Sequence, residues 1–273
     1  RIRNTFRFIM GNLNDFDEAT NNINKNELVE IDKWIISEAI KLHEEIQELN
    51  DNYAYHHVIQ KIHNFCVHEL GGVYLDIIKD RMYVTKSNSN ARRSAQFALF
   101  EVADILIRLI SPVLVFTAEE IWQSHELFKK QSVSIFTAPQ KTLSEIESSI
   151  SDDDWKKIFA VKDAVNQSIE KARADSVIKG SLDSKIIISC DKKTYKALEK
   201  IEDELKFVFI SSEVEIAESS SSKLDIEVTN FDQKKCIRCW NKCSSVGLYV
   251  EDPEICSRCY TNVYGDGEIR KFV

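Results

Sequence analysis

The sequence predicts a multidomain protein: an all-α helical bundle, then a small α/β domain, then a C-terminal four-cysteine metal module. Three observations carry this. Apolar residues recur at helical spacing through the first 130 or so residues, in a chain with only 7 Gly and 3 Pro. The composition shifts near Gln131 to a Ser- and Thr-rich stretch, after which strand-like runs appear. Finally, Cys236-Ile237-Arg238-Cys239 and Cys256-Ser257-Arg258-Cys259 form two Cys-x2-Cys pairs with 16 residues between them. At 273 residues the chain exceeds one ordinary domain. Four parts follow: a bundle over 1–131, a connector over 132–151, an α/β domain over 152–230 and a metal module over 231–273.

The chain opens on Arg1 rather than Met, and its first residues already read as a helix in progress, as expected of a piece of a longer polypeptide. Over 53–84, Val58, Ile62, Phe65, Cys66, Val73 and Ile77 recur at helical spacing. Gly71 and Gly72 interrupt that pattern and predict a kink or a close approach. Over 91–110 most positions are apolar, so this helix should be nearly buried. Its polar residues Glu101, Asp104 and Arg108 make one narrow stripe, and the last two are spaced for an i,i+4 pair. Ser111 and Pro112 read as the cap and first residue of a further helix through Phe116 and Trp122.

After the connector, Asp152, Asp153 and Asp154 suit a helix N-terminus. That helix runs to about Asp175, with Trp155, Ile158, Phe159, Val165 and Ile169 inward. Strand-like runs cover 185–190, 207–216 and 224–228, with a helical stretch at 193–206. Ser219 to Ser222 form a polar loop.

The cysteine pairs point to a structural Zn²⁺. Each pair makes a tight turn, and the interval lets the chain return to close a tetrahedral cage through Cys236, Cys239, Cys256 and Cys259. Four thiolates leave no open position for catalysis. Lys234, Lys235, Arg238 and Arg258 offset the gathered negative charge. The alternatives are two disulfides or four free thiols. Against disulfides, no signal peptide is visible, and Cys66 and Cys190 sit in apolar stretches typical of a reducing compartment. Cys243 breaks the symmetry of the two pairs and reads as a bystander. His56, His57, His63 and His68 are not arranged to share an ion. The net charge of −8 argues against indiscriminate nucleic-acid binding and leaves room for a local basic surface. The longest apolar stretch is broken by Arg108, Ser111 and Pro112, which excludes a membrane span there.

Several blocks resemble one family in order. Arg3-Asn4-Thr5-Phe6-Arg7-Phe8, then Tyr74-Leu75-Asp76-Ile77-Ile78-Lys79-Asp80-Arg81, then Ala91-Arg92-Arg93-Ser94 resemble the anticodon-binding domain of bacterial isoleucyl-tRNA synthetases. Glu170-Lys171-Ala172-Arg173-Ala174-Asp175 with Gly180-Ser181-Leu182 resembles the start of that family's junction region. The two cysteine turns, Trp240, and the tail with Gly265, Asp266, Gly267, Glu268, Arg270, Lys271 and Phe272 resemble its C-terminal zinc module. The resemblance spans essentially the whole chain. It implies the tRNA-reading C-terminal part of a class I aminoacyl-tRNA ligase, cytoplasmic and monomeric, with isoleucine tRNA as partner and one structural zinc. Signatures resembling His-Ile-Gly-His and Lys-Met-Ser-Lys-Ser do not occur, and no Gly-rich turn follows a strand. ATP and Mg²⁺ would therefore belong to a catalytic domain that this chain lacks, as it lacks the editing domain. Alone it should not aminoacylate.

Unpaired bases are read by stacking aromatics and guanidinium planes, and phosphates are held by Lys and Arg. Trp240 reads equally as a base contact or as packing against the knuckle. Arg238 and Arg258 either contact RNA or soften thiolate charge, while Arg270 and Lys271 are candidate phosphate contacts. Arg81, Arg92 and Arg93 bracket a loop where a basic patch would face an anticodon stem, with Asp76 and Asp80 as competing partners for Arg81. Two other readings compete with the tRNA-binding one: a stand-alone zinc-containing RNA-binding module, and the DNA-binding end of a repair enzyme. An acidic bundle disfavours the last.

Overall fold

The computed structural model describes residues 1–17, 23–221 and 223–273, so the Ser222 end of the expected polar loop lies outside the described residues. The chain divides into two compact units. One comprises Arg1–Ile78 and Asn90–Ser148, the other Lys79–Ser89 and Ser149–Val273.

The first unit is helical. Its helices are α1 (Ile2–Asn12), α2 (Glu30–Asp51), α3 (Tyr55–Phe65), the first residues of α4 (Leu75–Val84), α5 (Asn90–Ile110), α6 (Val115–Ser124) and the short α7 (Glu126–Lys129). α5 is the central helix, and Leu99, Val102, Ala103, Leu106, Ile107 and Ile110 are all solvent-free. A buried polar knot fixes its register against α2. The Asp32 carboxylate accepts from Tyr74 Oη at 2.7 Å and Ser94 Oγ at 2.5 Å, and Ser94 Oγ accepts from Val29 N at 2.9 Å. Fully paired buried groups of this kind specify one packing, because any slip strands a charge. On the polar stripe of α5, Arg108 donates to Asp104 at 3.0 Å, and Lys141 from the connector reaches the same carboxylate at 2.8 Å.

The double glycine marks a close approach, one of the two outcomes its position predicts. Residues Cys66–Tyr74 form a π-helical segment between α3 and α4. In that winding each residue sits over the carbonyl five positions back. A Cβ on Gly71 would stand 3.0 Å from Cys66 O, and one on Gly72 3.3 Å from Val67 O. A side chain at Gly71 would require the Cys66 carbonyl to give by a few tenths of an ångström.

The expected cap at Ser111 and Pro112 is corrected. α6 begins at Val115 with Leu114 as its cap residue. Ser111 Oγ donates backward to Arg108 O at 2.9 Å, and Leu114 N bonds Ile110 O at 2.7 Å. Ser111 N still bonds Ile107 O at 3.1 Å, and Ser111 and Pro112 lie in the turn that follows α5 instead of starting α6.

The second unit is built on α8 (Asp152–Ala174), with Ser151 as N-cap accepting from Asp154 N and three aspartates in its first turn. Trp155, Ile158, Val165 and Ile169 are buried as expected, whereas Phe159 is half-buried, stacked on Trp155. The sheet has three strands, β1 (Ser184–Cys190), β2 (Glu213–Glu218) and β3 (Asp225–Asn230), in the order β2-β1-β3. β1 pairs β2 in parallel through the crossover helix α9 (Lys192–Glu199), and pairs β3 antiparallel. The 207–216 run is not all strand. Leu205–Val208 is a short helix, α10, closed by Ile210 at φ 53° with Ser211 N bonding Lys206 O at 2.9 Å. A short apolar run has no periodicity to separate a buried helix from a buried strand. The unit ends in a cysteine-rich segment carrying α11 (Ser257–Tyr264). Among the described residues no helix is long and apolar enough to cross a membrane.

Candidate metal centre and the basic residues around it

Both cysteine turns converge inside the second unit. Cys236, Cys239, Cys256 and Cys259 are buried, and their Sγ atoms all lie within 4.8 Å of one another. Cys236 Sγ is 3.7 Å from Cys259 Sγ, and Cys239 Sγ is 3.7 Å from Cys256 Sγ. A disulfide needs about 2.05 Å. Four sulfurs each about 2.3 Å from a tetrahedral Zn²⁺ stand about 3.8 Å apart. The spacing fits a metal and excludes the disulfide alternative for these two pairs. Among the described residues this is the one grouping of potential ligands that converges, and the histidines form none.

The local fold explains the convergence. The first turn is held by Trp240 N on Cys236 O at 2.9 Å and Cys236 N on Asn241 O at 2.9 Å. The second turn is the start of α11, with Cys256 as its N-cap residue. Cys256 N donates to Cys236 Sγ at 3.3 Å, so an amide faces sulfur charge. Without metal the sulfurs share protons. The hydrogen bonds from Cys256 and Cys259 hold Cys239 far below the usual thiol range, while the same bonds raise Cys259 and push Cys256 up to about 12. A metal would displace those protons, so loading should release acid. Cys243 stands outside the four, with its Sγ 3.3 Å from Ser245 Oγ.

The basic residues separate sharply. Trp240 is 63% exposed at φ 64°, so its ring does not build the sulfur core. Arg238, two residues earlier, donates to Val84 O at 2.5 Å. Arg258 forks onto Asp80, NH1 to Oδ1 at 2.6 Å and NH2 to Oδ2 at 2.8 Å. Arg270 is 6% exposed. It donates to the same Asp80 Oδ1 at 2.8 Å, to Glu268 at 3.1 Å and to Val273 O at 3.2 Å, with its guanidinium 3.2 Å from the Phe207 ring centroid. Burial works to raise the Asp80 carboxyl, and the hydrogen bond and charge of Arg258, with the charge of Arg270, outweigh it and hold the group below the ordinary range. Burial likewise opposes the Arg258 charge, and Asp80 overcomes it. Lys271 keeps an exposed side chain while its backbone N bonds Glu204 at 2.8 Å. Arg81 is 1% exposed and so presents nothing to solvent.

Arg92 and Arg93 lie in the first unit, both gathered by Asp15. Arg92 NH2 donates to Asp15 Oδ1 at 2.9 Å, and Arg93 NH1 to Asp15 O at 2.8 Å. The Arg92 bond holds the Asp15 carboxyl down at about 2. Of the holders of these arginines, Asp15 and Phe207 went unmarked in the sequence, Asp80 was marked only as a competing partner for Arg81, and Glu268 only as part of the tail. Spacing does not reveal Asp15 or Asp80, which lie 77 to 190 residues from the arginines they hold, whereas Glu268 stands only two residues from Arg270.

Residues 32–188 match the family described as the anticodon-binding domain of tRNA ligase. The chain belongs to that anticodon-binding family. Within it, the chain corresponds to the anticodon-binding portion of isoleucine-tRNA ligase, the class I enzyme. It is 41% identical over its full length to the isoleucine-tRNA ligase of Alcanivorax borkumensis and 41% identical to that of Pseudoalteromonas translucida. The Shewanella putrefaciens enzyme is 40% identical. In each case the chain spans 30% of the relative's length.

Proposed function

We propose that this chain is the tRNA-binding C-terminal part of an isoleucine-tRNA ligase, acting in the cytoplasm as a monomer. The helical bundle over 1–131 engages the anticodon stem-loop, an α/β junction domain over 152–230 follows the 132–151 connector, and residues 231–273 hold one structural Zn²⁺. The supporting observation is the buried, convergent four-sulfur cluster in a chain of the anticodon-binding family. Bound zinc would cross-link the two cysteine turns, and the chemistry of isoleucine attachment would lie outside these residues. On the first turn, exposed Trp240 stacks on an unpaired base or the backbone, with Arg238 beside it. Lys271 supplies a phosphate contact, and Arg92 and Arg93, ion-paired with the 47%-exposed Asp15, supply theirs by exchanging that carboxylate for phosphate. Arg81, Arg258 and Arg270 are buried or ion-paired and would contribute by holding the surface rather than by touching RNA.

Filter binding tests the reading. Isoleucine tRNA should bind more tightly than the same tRNA carrying a swapped anticodon. Equal affinity for both would favour the alternative, a zinc-containing module that binds RNA without reading an anticodon. Isoleucine-dependent pyrophosphate exchange by the 273-residue chain should stay at background.

A further inference from the structure

Each cysteine turn carries one arginine, and both arginines reach the same short segment, Lys79–Ser89, one helical turn apart: Arg258 at Asp80 and Arg238 at Val84 O. Val84 packs among the four cysteines, and Lys86 Nζ donates to Gly265 O at 2.9 Å. Asp80 is the point where these contacts meet the tail. Its Oδ1 accepts from Arg258 and from Arg270, whose side chains are 15% and 3% exposed. Arg270 then holds Glu268 and the Val273 carbonyl, and the amides of Lys271, Phe272 and Val273 all donate to Glu204, at 2.8, 3.1 and 2.7 Å.

From this we infer that Asp80 is a positioning residue through which the metal-bound second turn orders the tail over 268–273. Metal fixes Cys256 and Cys259, and the residue between them is thereby aimed at Asp80. With Arg258 forked on it, the carboxylate stays anionic and correctly turned for Arg270, and Arg270 seats the tail. The aromatic floor belongs to the same device, because Phe207 lies under Arg270 at 3.2 Å and near Arg258 at 5.1 Å. Linkage makes the coupling reciprocal: whatever unseats the tail must weaken the metal.

The inference rests on the zinc reading of the cluster, and the test keeps the two apart. The zinc-loaded full chain is digested with trypsin, following cleavage after Arg270 and Lys271 by mass spectrometry. Parallel digests use the chelated chain and the Asp80→Asn variant, with circular dichroism confirming the helices. Chelation and Asp80→Asn should each speed tail cleavage on the order of tenfold or more, by raising the population of the opened tail. Applied together they should be no faster than either alone, since the metal acts through Asp80. A purely local structural role would give effects that multiply, and that outcome overturns the inference. So does a chelated wild-type chain whose tail stays protected, a result that needs no variant to fold. Should Asp80→Asn misfold, Arg258→Lys, which keeps the charge and loses the fork, takes its place. A chain that holds no zinc overturns the metal reading and this inference with it.

Discussion

The two cysteine turns share the spelling Cys-x-Arg-Cys and do different work. In the second, the arginine is spent inward on Asp80, over Phe207, and the turn opens directly into α11. In the first, the arginine closes on a single backbone carbonyl, and the chain leaves the turn through Trp240 in a left-handed conformation with its indole in solvent. Lys234, Lys235 and Lys242 flank that first turn, whereas Glu251, Asp252 and Glu254 lead into the second. One turn anchors and the other presents. A motif letter therefore carries no role until its partner is known: the same half-buried arginine is an ion-pair member in one turn and a strap on a carbonyl in the other.

The largest expected effect erases the comparison. Cys→Ser at 236, 239, 256 or 259 should abolish zinc binding and unfold both turns alike, because metal in such small modules supplies on the order of 10 kcal/mol of folding free energy. Helical circular dichroism from the first unit should persist. Cys243→Ser should keep one zinc per chain, and loss of metal there would overturn the ligand set.

Next come the arginines, where the comparison should appear as a difference in stability. Arg258→Ala strips the half-buried Asp80 of its forked partner and leaves it only Arg270, a loss of charge-assisted hydrogen bonding that costs about 1.5–3 kcal/mol. Arg238→Ala removes one hydrogen bond to a carbonyl, worth about 1 kcal/mol. Urea midpoints measured with zinc saturating should rank the two variants in that order. Equal midpoints would mean that the turns are equivalent after all.

Much of this architecture was legible in the chain. Helical periodicity marked the bundle, a strand-like run over 185–190 marked β1, and the cysteine spacing marked a cluster that needs only local turns and one return of the chain. What was illegible shares a cause. The double glycine announced a close approach, but not the π-helical winding that sets Gly71 against a carbonyl five residues back. Ser111 chose between a carbonyl behind and an amide ahead, and that choice is tertiary. The fates of Arg258 and Arg270 were fixed by an aspartate 178 and 190 positions away.

Trp240 sharpens the presenting side. A left-handed conformation costs a non-glycine residue about 1–2 kcal/mol. Trp240→Gly should therefore hold or raise stability, with zinc retained. The same change should weaken isoleucine-tRNA binding by about 1–3 kcal/mol, the worth of a lost stacking contact. Opposite signs in the two measurements are the signature of a residue kept for contact. A variant that binds tRNA as tightly as the parent would remove Trp240 from the interface.

The smallest effect extends the contrast between buried and open clamps to the first unit. Asp15 gathers Arg92 and Arg93 as Asp80 gathers Arg258 and Arg270, yet its side chain is 47% exposed against 22% for Asp80. Its carboxyl is held at about 2, below the ordinary value of 3.8, chiefly by the Arg92 hydrogen bond. A group whose folded pKa is depressed stabilises above its ordinary pKa and loses that contribution as pH falls through the folded value. Acid titration from about pH 4 toward pH 2 should therefore erode stability by an amount that Asp15→Asn abolishes. Solvent screening keeps that amount small, and added salt should shrink it further. Arg92→Ala and Arg93→Ala should weaken all tRNAs alike and flatten the salt dependence of binding, as phosphate contacts do. If the salt slope is unchanged, Asp15 holds these arginines as firmly as Asp80 holds its own, and they belong with the anchors.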